Sequence, residues 1–226
     1  MGIVYKLINY ADNSAIACLF TKDFGKIKFF INKAFTSKGG IHKFIPGEID
    51  FLKKDNTDLN KFYAFHIDIK YMYFLEDIDI YYRLHLVFEI IDYLYELESK
   101  DVFLWKLLTN VSSENVHKFS IYTVYYILKH SGYIFDFSHC IKCNSPIKEG
   151  ILTTNGIYCS NCFVNDGKIT SISKDIMAYL RTLNEPDKFK DLILTEDSEQ
   201  KILNIFIKYI ENICGKKIKS FEILKR

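Results

Sequence analysis

The chain has 226 residues, 49% of them apolar, with sixteen Tyr, nineteen Phe and a formal net charge of +2. No stretch approaches the roughly 20 apolar residues of a membrane span, and the first residues lack the basic flank, apolar run and cleavage site of a signal peptide. A membrane protein is excluded on these grounds, and the expected location is cytoplasmic. The small net charge hides an uneven spread: residues 1–43 sum to +5, 44–139 to −6 and 140–226 to +3. A basic head and tail around an acidic middle suit an anionic partner at two places and a different partner between them.

The first eighty residues read as short strands. "GIVYKLINY" is apolar and β-branched, and "ADNS" after it is turn chemistry. "AIACLF" leads into "TKDFGK", where Asp23 and Gly25 predict a tight turn. In "KIKFFIN", Ile27, Phe29 and Ile31 share one face and Lys26, Lys28, Phe30 and Asn32 the other. A polar loop, "KAFTSKGGIHKF", precedes "IPGEIDFLKKDNTD", a further strand ending in turn residues. "FYAFHIDIKYMYFL" closes the set, with Tyr63, Phe65, Ile67 and Ile69 alternating. Five short strands predict a small barrel or sandwich over residues 1–80. Glu76, Asp77 and Asp79 then crowd one turn, read as a solvated domain boundary.

The period changes near residue 82. Leu84, Val87, Phe88, Ile91 and Leu94 recur at helical spacing, as do Ile121, Val124, Tyr125 and Leu128. Ser113 is the expected cap of the second helix and Gly132 its stop. "KDVFLWKLLTNV" predicts a short helix between them, and "SKDIMAYLRTL" another, capped by Ser173. Ile202, Ile205, Phe206, Tyr209 and Ile213 make a stripe that Gly215 ends. The fold class expected is α+β: a barrel, then a helical domain over 81–139 and 166–226 that carries an inserted cysteine module at 140–165.

That module, "CIKCNSPIKEGILTTNGIYCSNC", has the spacing C-x₂-C-x₁₅-C-x₂-C. Each C-x-x-C turn presents two thiolates to one ion, and two such turns complete a tetrahedron. Cys140, Cys143, Cys159 and Cys162 therefore predict one structural Zn²⁺. A disulfide pair, a redox dithiol and an iron–sulfur cluster are the competing uses of the same spacing. Four thiolates leave no open position for water or substrate, so the site is expected to hold shape. Cys18 and Cys214 read as core residues, as do His66 and His85. No Walker loop, nucleophile elbow or H-E-x-x-H motif occurs, so no catalytic residues are expected.

Lysines mark the remaining candidates. Lys22, Lys26, Lys28, Lys33, Lys38 and Lys43 cluster on and after the barrel hairpin, with Phe30 between them for base stacking. Lys216, Lys217 and Lys219 form a basic tail in which Ile218, Phe221 and Leu224 are expected to dock.

Taken in order, three stretches resemble the bacterial recombination mediators of the RecO family: "FTKDFGKIK" at the barrel hairpin, "SGYIFDFSHC" before the cysteines and "GKKIKSFEIL" near the end. The resemblance covers nearly the whole chain. It implies an N-terminal oligonucleotide-binding (OB) barrel, a helical domain and a zinc module. It also implies a non-enzymatic, nucleoid-associated protein that binds single- and double-stranded DNA and anneals complementary strands. With RecR, such a protein helps load RecA onto DNA coated by single-strand-binding protein (SSB). By position, Lys22, Lys26, Lys28, Lys33 and Lys38 match the family's basic barrel face. Ala34 and Phe35 stand where that face usually has further bases. Tyr122 and Thr123 stand where some members use a base to hold the SSB tail, with Lys118 and Lys129 flanking. The alternative reading is a zinc-ribbon adaptor between repair proteins with little direct DNA contact.

Overall fold

The structure is a computed structural model and describes all residues except 12, 33, 35–40, 55–56, 165–166 and 225–226. It divides into two compact units, Met1–Val116 and His117–Arg226.

The first unit opens with five strands, β1 (Gly2–Ala11), β2 (Ser14–Thr21), β3 (Gly25–Ile31), β4 (Pro46–Leu52) and β5 (Leu59–Ile67). They close into a barrel in the order β1-β2-β3-β5-β4, with β4 returning to β1 through Gly2↔Gly47 and Ile3↔Pro46. β3 and β5 run parallel and the other pairs antiparallel, the arrangement of an OB-fold. The alternation in β3 holds. Ile27, Phe29 and Ile31 point into the barrel with Val4, Ala17 and Leu19. At the β2–β3 turn Gly25 adopts φ +65°, and a Cβ there would lie 2.0 Å from the Ser99 carbonyl oxygen, so only glycine fits.

The last predicted strand stops earlier than its alternation implies. Asp68 accepts a hydrogen bond from the Lys70 N–H and caps a 3₁₀ turn, Ile69–Tyr71, which passes into the one-turn helix α1 (Tyr73–Glu76). Asp77 then caps α2 (Ile78–Leu94) by accepting from the N–H groups of Asp79 and Ile80. The crowded acids thus start a helix. α3 (Val102–Thr109) is capped in the same way by Asp101.

Beyond the barrel the first unit continues through α2 and α3 to Val116. The reason is aromatic packing. Tyr5 of β1 stacks on Phe88 of α2 at 5.2 Å, Phe44 stacks on the same ring at 5.6 Å, and Phe20 meets Tyr95 edge-on at 6.2 Å. Phe44 is fully buried with φ +70°, a backbone cost of about 1–3 kcal/mol for a non-glycine residue. Burial of its ring and the bond from its N–H to the Val4 carbonyl at 2.7 Å offset that cost.

The second unit contains α4 (Val116–His130, beginning one residue before the boundary), β6 (Gly150–Thr153), β7 (Gly156–Tyr158), β8 (Lys168–Ile172), α5 (Lys174–Thr182), α6 (Pro186–Asp191), α7 (Glu196–Cys214) and α8 (Lys219–Leu224). Gly132 stops α4 as expected. It sits at φ +80°, and the next N–H, of Tyr133, reaches back to the Leu128 carbonyl at 2.8 Å. Ser113 does not cap α4; its hydroxyl donates to Asp77 instead. β8 and β7 flank β6 in a three-stranded sheet. Ile202, Ile205, Phe206 and Tyr209 are buried along α7, and Gly215 ends it at φ +64°. The tail folds into α8, with Ile218 and Phe221 buried. Among the described residues no helix is long and apolar enough to cross a membrane.

Candidate metal centre and nucleic-acid interface

The four cysteine sulfurs of the second unit lie within 4.8 Å of one another, with Cys143 and Cys159 at 3.9 Å. A Zn–S bond of about 2.3 Å gives a tetrahedron with edges of about 3.8 Å, so the spacing suits one ion, whereas a disulfide needs about 2.05 Å. Local backbone geometry builds the cluster. Asn144 takes φ +56° and returns its N–H to the Cys140 carbonyl at 2.9 Å, which folds the first C-x-x-C into a knuckle. In the second, the N–H groups of Cys162 and Phe163 both bond the Cys159 carbonyl at 3.1 Å. The β6–β7 hairpin carries one knuckle to the other, and the Cys159 N–H points at the Cys140 sulfur at 3.4 Å. Arg181 of α5 fixes the module from below, donating to the Phe137 carbonyl at 3.0 Å and to the Ile147 carbonyl.

Electrostatics pull the sulfurs apart in their readiness to ionise. Burial raises the Cys140 thiol, but the N–H groups of Cys143, Cys159 and Lys142 outweigh it and bring the thiol down to about 6. Hydrogen bonds from Ser145 also lower Cys143. Its neighbours Cys143 and Cys159 push Cys162 up to about 12. Four adjacent thiols cannot all ionise alone, and a bound dication removes that repulsion. His139 stands aside, its Nδ1 2.8 Å from Asp136.

In the first unit, paired strands set two rows across the outside of the barrel: Lys6–Cys18–Lys28–Leu59 and Ile8–Ile16–Phe30–Lys61. One end of this face is covered. Tyr5 and Phe20 lie under α2 and Tyr95, while Lys26 pairs with Leu97 and is buried. The Lys26 ammonium donates to the Asp92 carbonyl at 3.1 Å, and Lys6 forms an ion pair with the Asp92 carboxylate at 2.7 Å. The other end is open. A groove of about 1060 Å³ runs from Lys26, Leu97 and Glu98 at the cover to Ile8, Ile16, Lys28 and Lys54, with Asp58 also in its wall. On the same outer face Tyr10 is 67% exposed and meets Phe30 edge-on at 5.5 Å.

The expected lysines therefore separate. Lys28 lines the groove. Lys22 is exposed at the β2–β3 hairpin, at the far end of β3 from Phe30. Lys43 is half-buried over the Phe44 ring at 5.6 Å, and Lys33 and Lys38 lie outside the described residues. In the second unit, Lys216, Lys217 and Lys219 are exposed after Gly215, with Lys217 paired to Glu211 at 2.9 Å. Neither Tyr10 nor Lys54 was singled out from the sequence. The outward parity of Ile8 and Ile16 was the available signal, since apolar residues facing out of a barrel need a cover or a ligand.

A profile of the family described as "Recombination protein O C terminal" matches residues 75–222. The chain belongs to the RecO family. It is also 25% identical, over 239 aligned residues, to the DNA repair protein RecO of Clostridium perfringens (strain 13 / Type A), an alignment that spans 99% of this chain and 96% of that relative. The RecO family is one of DNA repair and recombination.

Proposed function

We propose that this RecO-family protein is a non-enzymatic mediator of recombinational repair. It binds single- and double-stranded DNA on the open barrel face, anneals complementary strands and, with RecR, helps load RecA onto SSB-coated DNA. The observation that carries the reading is the groove in which Lys28 and Lys54 lie beside outward Ile8 and Ile16, with Phe30 next to Ile16 in the same outer row and Tyr10 against Phe30. Ammonium groups neutralise phosphates and release counterions, and exposed rings stack bases without regard to sequence. Two strands held by positive charge repel each other less, which favours pairing. One Zn²⁺ on Cys140, Cys143, Cys159 and Cys162 is structural in this reading, because four thiolates fill its tetrahedron.

A titration of mixed-sequence oligonucleotides between 50 and 200 mM salt tests the proposal. Each phosphate contact on a single strand is worth about 5-fold in affinity at 0.1 M salt, so Lys28→Glu with Lys54→Glu lowers affinity by about 20-fold or more. Binding that ignores both salt and the double substitution refutes the barrel as the DNA surface.

One observation favours the adaptor reading. Lys6 and Lys26 are engaged by Asp92, and Lys53 by Glu98 at 2.7 Å, so the barrel offers fewer amines than its lysine count. Retention of partner binding by a chain that fails to bind DNA at low salt decides for it.

A further inference from the structure

A second cluster of positive charge lies in the other unit, at the C-terminal end of α7. Lys208, Glu211, Asn212 and Gly215 follow one another at helical spacing along one face. The left-handed turn at Gly215 then brings Lys216 and Lys217 to the same groove, and the start of β8 adds Lys168. All four lysines are exposed, and the groove measures about 410 Å³. Glu211 is the carboxylate in its wall. One of its oxygens pairs with Lys217 at 2.9 Å and the other accepts the Ile218 N–H at 3.0 Å. The charge of Glu222 also reaches Lys217.

Helix electrostatics explain only part of this gathering. Cations are favoured within the last turn of a helix, which accounts for Lys216 and Lys217. Lys208 lies about two turns upstream of Gly215, and Lys168 is on a strand. Four lysines face one carboxylate in this groove, an excess of positive charge that favours an added anion.

We infer that Lys168, Lys208, Lys216 and Lys217 form a second polyanion site that holds the phosphodiester backbone of a DNA strand. The inference rests on the DNA-binding reading above and extends it to a separate surface. The groove's chemistry selects this occupant over an acidic peptide. Its lining is ammonium, amide, main chain and the Glu211 carboxylate held by Lys217 and the Ile218 N–H, with Ile169 the apolar side chain among the described lining residues, so a peptide finds little apolar seat. Lysines act as point charges that follow phosphates without demanding a fixed fork geometry. A chain with two such sites holds two strands at once, which annealing requires.

The test uses the full chain and a fluorescent mixed-sequence single strand between 50 and 200 mM salt, alongside annealing of complementary oligonucleotides. For Lys168→Gln with Lys208→Gln, the log–log salt slope falls by about 1.4 and affinity at 0.1 M salt drops about 25-fold. Annealing slows, the melting temperature stays at the wild-type value, and Lys168→Arg with Lys208→Arg restores binding. Wild-type slope and annealing rate in the Gln variant overturn the second site and leave the barrel reading intact. So does loss of binding to a fluorescent acidic peptide with DNA binding unchanged. Failure of the wild-type chain to bind DNA at all overturns the underlying reading instead.

Discussion

Replacing Asp92 by Asn tests how α2 is attached to the barrel. Its carboxylate accepts the Tyr5 hydroxyl at 3.0 Å and the Lys6 ammonium at 2.7 Å, while its carbonyl accepts Lys26 at 3.1 Å. Burial raises the Asp92 carboxyl, but the bonds from Lys6 and Tyr5 and the nearby Lys26 charge hold it below the usual carboxylate range. Asn keeps one acceptor oxygen and puts a donor-only NH₂ in the other place, so one charge-assisted bond of about 1.5–3 kcal/mol is lost and the remaining one is weakened. The half-exposed Lys6 partner is screened by solvent, so the net loss is about 2 kcal/mol. Urea unfolding at pH 7 measures it. The pH dependence has a fixed sign. A folded carboxyl below its unfolded value stabilises fully above an unfolded pKa of about 3.9 and loses that stabilisation as pH falls towards the folded value. The wild-type advantage over Asp92→Asn is therefore constant from pH 7 to 5 and shrinks below pH 4. Equal stability of the two proteins at pH 7, or an advantage that grows on acidification, refutes the reasoning.

Cys140→Ser, or Cys159→Ser, lowers the metal content from about one ion per chain to well below half and broadens the unfolding of the second unit, because metal binding and folding are coupled. Metal analysis and near-ultraviolet circular dichroism follow both effects, and a strong chelator reproduces them in the wild type. Gly25→Ala costs about 2 kcal/mol or more, since the added carbon meets the Ser99 carbonyl and the backbone is left-handed. Gly132→Ala, at φ +80° with nothing within 4 Å of the new carbon, costs about 1 kcal/mol. Urea midpoints rank the two.

Legibility followed the range of the interactions. The cysteine site was readable because each knuckle is a four-residue turn and the spacing alone brings the pairs together. Strand parity was readable in β3, where Ile27, Phe29 and Ile31 face the core. Strand order was not, because the parallel β3–β5 pairing and the Gly2↔Gly47 closure are long-range. Parity put Lys26 on the outside of the barrel, and there it lies, but residues 92–98 occupy that part of the outside. The alternation through Ile69 misled because Asp68 offers the backbone a local cap that competes with a further ladder bond. The groove needed coordinates, since Ile8, Ile16, Lys28 and Lys54 come from four segments.

The sharing of Phe88 by Tyr5 and Phe44 has a consequence for biosynthesis. All five barrel strands have left the ribosome's active centre once Ile67 is made, yet the cover for the barrel's apolar waist extends to Tyr95. At about 5–20 residues per second, that gap lasts roughly 1 to 6 seconds. For that interval Tyr5, Phe20 and Phe44 lack the rings that later cover them.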